Sequence, residues 1–318
     1  MKKIAIFNVG GAFSSYLEID DKKAVIDLGK NDDFNPVLDF LLPLAKYKFS
    51  KAQQNQDKYQ IEQAFLSHLD NDHISAINDF DEYFLPDLLT APCEHPRQNS
   101  LFNIIKDLFT DENENRDKVL AMMSGRSPGY GREIQEDYDR PLVTHLNLVE
   151  EIKLFHIPAN SFAEEESLKE HYSNNTSLVL FISINGHTLL IPGDIMNEGM
   201  EYLINNNGDL LGYLQRTGVD FLVAPHHGLE TSFPESLFRI INKTKRLNII
   251  SEKRRPLFSL ENRSDVDGRY YSDDYCIGAN SLGQKGVKTS NGHIVIDFLG
   301  QNPVVKVVDN EGLLKEFI

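Results

Sequence analysis

Four side chains able to hold a metal ion fall within six residues of the segment Phe65-Leu66-Ser67-His68-Leu69-Asp70-Asn71-Asp72-His73-Ile74. An apolar run precedes them and a stretch of helical spacing follows. A loop at a strand end aims alternate side chains into one cleft, and the first turn of a helix adds the next two beside them. The spacing divides ligands between two ions: His68 and Asp70 for one, Asp72 and His73 for the other. The competing reading is an acidic helix cap with surface histidines, because Asp is common at helix N-termini. Two histidines bracketing two aspartates favour ligation.

Two more apolar runs end on polar residues. Leu189-Leu190-Ile191-Pro192-Gly193-Asp194-Ile195 presents one carboxylate after a Pro-Gly turn, which alone is an ordinary turn. Val219-Asp220-Phe221-Leu222-Val223-Ala224-Pro225-His226-His227-Gly228 presents two adjacent imidazoles before a glycine, which points towards function. His95, His145, His187 and His293 have no motif around them and read as structural.

The elements that must position these residues follow from periodicity. Residues 4–8 and 14–19 read as a hairpin around Gly10-Gly11, with Lys23–Asp27 as the next strand. Such short, closely spaced strands predict an antiparallel sheet. A helix is expected over 36–48, and a strand over Ile61–Leu66 that delivers Ser67 and His68, after a polar leader from Lys51 to Lys58. Further strands are expected at Ile152–Phe155, Ser177–Ile184, Thr188–Ile191, Asp220–Val223, Leu247–Ser251, His293–Phe298 and Val304–Val308, with one helix from near Asn197 to Arg216. Between about residues 92 and 141, helical spacing (Leu101, Ile104, Ile105, Leu108, Phe109) and a glycine-rich loop holding Arg126 and Arg132 predict a helical insertion, a lid or a partner-binding surface. These periods alone give an α/β or α+β protein.

The chain has 318 residues, 41% hydrophobic and 25% charged, enough for one substantial core or two half-cores joined face to face. No apolar run approaches the ~20 residues of a membrane helix. The opening Met1-Lys2-Lys3-Ile4-Ala5-Ile6-Phe7 is cut short for a signal peptide by Asn8, so a cytoplasmic location without membrane attachment is expected. Cys93 and Cys276 form no disulfide framework and read as reduced core side chains. A formal net charge of -16 disfavours a broad nonspecific grip on nucleic acid, although bound cations reverse the sign locally.

The three clusters together resemble, in order and spacing, the metallo-β-lactamase superfamily. The HxDxDH form of His68 to His73, the run Asn175-Thr176-Ser177-Leu178-Val179-Leu180 and the closing Pro225-His226-His227-Gly228 are similar to the branch of the ComEC competence proteins and bacterial phosphorylcholine esterases. Phe7-Asn8-Val9-Gly10-Gly11 and Val25-Ile26-Asp27-Leu28-Gly29 resemble that family's first two strands, so the likeness spans nearly the whole chain outside the insertion. The chain departs where the family has an acidic opening turn (here Gly10-Gly11-Ala12-Phe13-Ser14) and a serine after the histidine pair (here Leu229).

The resemblance implies a single α+β domain over 1–318, a four-layer αββα sandwich, and two divalent ions, Zn²⁺ or Mn²⁺. Asp194 would bridge the ions, His227 would join Asp72 and His73, and His226 would face the substrate as a hydrogen-bond donor. For the third protein ligand of the first ion the choices are His171 and His156, each more simply an ordinary surface or packed histidine. An ion pair of this kind lowers the pKa of a bridging water towards ~7, and Asp70 in place of a histidine shifts preference towards harder ions such as Mn²⁺. The implied activity is phosphodiester or nuclease hydrolysis of DNA, RNA or a nucleotide. The alternatives are hydrolysis of a lactone, thioester or phosphorylcholine ester, and a binding protein that kept the fold without a competent site. Lys243, Lys245, Arg246, Lys253, Arg254 and Arg255 flank one strand and offer either a phosphate-binding edge or a solvated charged one.

Overall fold

The computed structural model describes residues 1–53, 55–92, 113–123, 133–134, 151–241, 246–252 and 266–318. Strands β1 (Lys2–Ile6), β2 (Ser14–Ile19), β3 (Lys22–Leu28), β4 (Lys51–Ala52), β5 (Asn55–Phe65), β6 (Phe84–Thr90) and β7 (Glu133–Ile134) open the chain. A second set follows: β8 (Glu151–Phe155), β9 (Val179–Ile184), β10 (His187–Ile191), β11 (Phe221–Val223), β12 (Leu247–Ile250) and β13 (Gly286–Lys288). Strands β14 (His293–Asp297) and β15 (Val304–Val308) then return to the first set. The first sheet runs β15-β14-β1-β2-β3-β5-β6-β7 with β4 paired to β5, and the second runs β13-β12-β11-β10-β9-β8.

Alternation along the strands divides the apolar residues among three cores. In β1, Ile4 and Ile6 face the second sheet, while Ala5 and the following Phe7 face helices. In β9, Leu180, Ile182 and Ile184 meet the first sheet, and Val179 and Phe181 meet helices on the far side. The middle core therefore lies between the sheets. The outer two lie under the helices of 36–48, 71–83, 114–123 and 310–317 on one side, and of 159–175, 197–217 and 235–240 on the other. Strands covered on both faces read as nearly continuous apolar runs, as β10 and β11 do. The result is the four-layer αββα sandwich that the resemblance implies.

Several expectations need correction. The antiparallel pattern holds for β1–β2, β2–β3 and β1–β14, but β3–β5, β5–β6 and β6–β7 are parallel. The polar leader at 51–58 contributes β4 and the start of β5, so the strand is longer than its apolar part. The single helix expected over 197–216 is two, Asn197–Asn206 and Gly208–Thr217. Asn207 is extended between them, and its side chain accepts from the amide of Leu210. The strand at Phe84–Thr90 falls where helical spacing was expected to continue from Ile74. Of the 92–141 insertion, the helix Glu114–Met123 and strand β7 are described, and Leu101–Phe109, Arg126 and Arg132 lie outside the described residues. So do Cys93, His95, His145, Lys243, Lys245 and Lys253–Arg255. Among the described residues no helix is long and apolar enough to cross a membrane.

Candidate metal centre

Parallel pairing decides where the polar residues meet. β3 and β5 run parallel in one sheet, β10 and β11 in the other, so each sheet delivers two C-terminal ends to a common rim. β5 hands on to Ser67 and His68, β10 to Pro192-Gly193-Asp194, and β11 to Ala224-Pro225-His226-His227. One backbone bond ties the two sheets together here, from the amide of Leu178 to the carbonyl of Ser67 at 2.7 Å, and a second, from His226 to the carbonyl of Gly193 at 3.2 Å, joins the loops that follow β11 and β10. Gly193 adopts a left-handed φ of 62°, and a β-carbon there would stand 2.9 Å from the Ser67 β-carbon. The close approach of the two loops needs a glycine at that position.

The rim brings Asp72, His73, Asp194 and His227 together. One ligand atom from each lies within 4.8 Å of all the others. His73 Nε2 is 3.2 Å from Asp194 Oδ1, and His227 Nε2 is 3.3 Å from Asp194 Oδ2 and 3.5 Å from Asp72 Oδ2. His226 stands further out, its Nε2 3.9 Å from Asp194, and is half-buried. A small pocket opens at this cluster, lined by Phe13, His73, Asp194, Val223, His227 and Ser251 among others.

A set of groups not assigned from the sequence holds this cluster in place. The carboxylate of Asp27, fully buried, accepts from the Ser67 amide at 2.6 Å, the Ser67 hydroxyl at 2.7 Å and His73 Nδ1 at 2.8 Å. That bond fixes the His73 ring and turns Nε2 towards Asp194, as a ligand imidazole requires. Ser177 Oγ accepts the amide of Asp194 at 3.1 Å, and Asn175 Oδ1 accepts that of Met196 at 3.1 Å. The run Asn175–Leu178 thus anchors the Asp194 turn. Ser232 Oγ lies 2.9 Å from His226 Nδ1 and orients the outer ring. An aspartate within the apolar stretch Ala24–Leu28 of β3 was the available signal for Asp27, because a carboxylate buried there needs partners.

Local backbone conformation is unusual at the same place. His226 (φ 45°), His227 (φ 59°) and Gly228 (φ 76°) are consecutive left-handed residues, and Asp27 (φ 57°) is another. Each non-glycine residue of this kind costs about 1–3 kcal/mol, which the surrounding packing must offset.

The electrostatics fit a divalent cation. Burial disfavours charge on His73, yet Asp194 and Asp27 outweigh it and raise its pKa well above the usual histidine range. Burial also opposes charge on His227, and Asp194 with Asp72 lifts it to about 9. Burial would raise Asp194, but the two imidazoles hold it well below the usual carboxylate range. In the cluster two imidazoles stand against two carboxylates, with the Asp27 carboxylate behind His73, so a divalent cation would meet negative charge that the site already concentrates. The donor atoms are also suited: His73 Nε2 and both ring nitrogens of His227 are buried without a hydrogen bond of good geometry, the two Nε2 atoms facing carboxylate oxygens at 3.2–3.5 Å, and His68 Nε2 is left in the same way. Buried polar atoms are rarely left so without a ligand's claim on them.

The other sequence-derived residues are placed less centrally. His68, buried, packs its ring 4.0 Å from that of His73 and faces Asp70 across 3.7 Å. Burial and the neighbouring His73 hold its pKa down. His171 is exposed at the N-terminus of the short helix Tyr172–Asn175, and His156 lies with Nδ1 3.3 Å from the carbonyl of Ile157. Neither belongs to the four-residue group. His187 and His293 serve as packed structural residues bonded to Gln301 and to Asn8 and Asn310. Arg246 is paired with Asp220 at 3.1 Å.

No protein-family model and no curated protein matches the sequence. Among solved structures, the chain is similar to the metallo-β-lactamase fold protein YhfI from Bacillus subtilis, at 12% identity over 80% of this chain and 88% of that one, TM-score 0.41. It is similar to Zn²⁺-bound PqqB from Methylobacterium extorquens, at 12% identity over 79% and 88%, TM-score 0.39. It is also similar to a diphosphatase of the PhnP family, at 12% identity over 80% and 87%, TM-score 0.38. At such identity the fold assignment rests on the layers and strand order of this chain itself.

Proposed function

We propose that this protein is a metal-dependent hydrolase of phosphoesters, a phosphodiesterase or nuclease, of the metallo-β-lactamase type. The observation that carries the reading is the convergence of Asp72, His73, Asp194 and His227 within 4.8 Å, with buried ring nitrogens that make no hydrogen bond of good geometry. A cation bound there supplies a Lewis acid that makes water nucleophilic near neutral pH. The chain's own residues do the rest. Asp194, between His73 and His227, balances the charge of the site, and Asp27 keeps His73 in the tautomer that offers Nε2. His226, at the outer lip and oriented by Ser232, is placed to hydrogen-bond an oxygen of the substrate. Two carboxylates against two imidazoles make a donor set hard enough for Mn²⁺ as well as Zn²⁺.

The likeness of His68–His73 and Asn175–Leu180 to the ComEC and phosphorylcholine-esterase branch supports phosphoesters over other esters. The test is a panel of single-stranded DNA, RNA, cyclic dinucleotides, bis-p-nitrophenyl phosphate and a phosphorylcholine ester against a lactone and a thioester, each with Mn²⁺ or Zn²⁺ added. Turnover confined to the lactone or thioester would remove the phosphoester assignment.

A further inference from the structure

The spacing of His68 and Asp70 predicts a second cation beside the first, yet Asp70 is engaged otherwise. Its Oδ1 accepts the hydroxyl of Ser173 at 2.5 Å and stands 3.7 Å from Arg116 Nη2, while Oδ2 is 3.7 Å from His68 Nε2. Arg116 is not a waving surface side chain, being 14% exposed against 33% for Asp70. Its helix, Glu114–Met123, is seated on the motif: Asn115 donates to Asn71 Oδ1 at 2.6 Å and accepts from Asn78 at 3.0 Å. Val119 and Met122 are buried against the first sheet's outer core. Among the described residues, the four-residue cluster is the one group of three or more donors at ligating distances, and it includes neither His68 nor Asp70. His171 and His156 do not complete a second set.

We infer that the chain holds one divalent cation, on Asp72, His73, Asp194 and His227, and that the Arg116 guanidinium stands on Asp70 in place of a second. The inference rests on the reading of that cluster as a cation site. A guanidinium is permanently charged, so it repels a dication approaching Asp70 at every working pH.

The experiment is metal analysis and calorimetric titration of the full chain, stripped with chelator and refilled with Zn²⁺ or Mn²⁺. One equivalent for the wild type, retained in Asp70→Asn and lost in Asp72→Asn, is the expected result. Two equivalents falling to one in Asp70→Asn overturn the inference while leaving the cation site itself intact. No bound cation in the wild type overturns both. For Arg116→Gln, which lifts the positive charge from Asp70, the expected result is a second, weaker equivalent of Zn²⁺ or Mn²⁺ taken up in the same titration. A single equivalent in Arg116→Gln, as in the wild type, removes Arg116 as the group that keeps a second cation out.

Discussion

Gly29 and Asp72 are in backbone contact: a β-carbon on Gly29 would lie 2.0 Å from the carbonyl oxygen of Asp72 and 2.6 Å from that of Phe13. The amide of Phe13 donates to that same Asp72 oxygen at 3.1 Å, and the amide of Gly29 donates to the Phe13 carbonyl at 2.9 Å. The end of β3 and the short helix Asn71–Ile74 that carries Asp72 and His73 are thus laced together through a space with no room for a methyl group.

Gly29→Ala should therefore act on the site as well as on the fold. Overpacking of this kind destabilises by about 1–3 kcal/mol, and relief requires Asp72 to move. Calorimetric melting and cation titration should both report a loss. A variant that melts and binds like the wild type would show that the contact tolerates the methyl group.

Asp27 does no ligation in this arrangement, but it aims His73. Asp27→Asn should lower cation affinity about 10–100-fold, the usual effect of removing the partner that orients a ligand imidazole. Circular dichroism should show the fold retained. If affinity is unaltered in a folded variant, the orienting role of Asp27 is wrong.

The two histidines of the pair should separate. His227→Ala removes a ligand and should abolish both turnover and tight cation binding. His226→Ala should lower kcat about 10²-fold, as loss of a positioned donor does, with cation content nearly intact. Equal cation loss in the two variants would mean that their roles have been misassigned.

Proton and cation compete for the same nitrogens, which fixes a pH trend with a definite sign. His227 is raised to about 9 from the ordinary ~6.5. In chelator-treated protein its contribution to stability is complete below about pH 6.5 and is lost as pH rises through about 9. Added cation should reverse the trend, because binding releases those protons and tightens as pH rises. Thermal melts at pH 6 and 9.5, with and without Mn²⁺, would reveal the crossing. Parallel pH dependences in the two series would contradict the proposed competition.

Much of the architecture was legible in the sequence because strands covered on both faces leave long apolar runs, and these marked β9, β10, β11, β12 and β14. Strands of mixed composition were harder to see. The polar start of β5 and the Pro-containing β6 carry little alternation, and their order is set by pairing rather than by local preference. In the site, polar residues that follow an apolar strand, such as Asp194 and His227, or that crowd the first helical turn after one, such as Asp72, announced themselves. Those whose work is to hold others did not: Ser67, Ser177 and Ser232 are ordinary loop serines until the folded chain shows what each hydroxyl meets. Arg116 was hidden for another reason. It belongs to an insertion helix whose docking on Asn71 no spacing rule predicts.

The two sheets contribute equally to the rim, Asp72 and His73 from one, Asp194 and His227 from the other. A cation gripped by all four would act as a rivet through the seam of the molecule. Prising the halves apart would then require surrendering the ion, so saturation at a thousand times Kd would add about 4 kcal/mol to the work of unfolding. Such an enzyme would lose its mechanical integrity and its chemistry together when starved of metal.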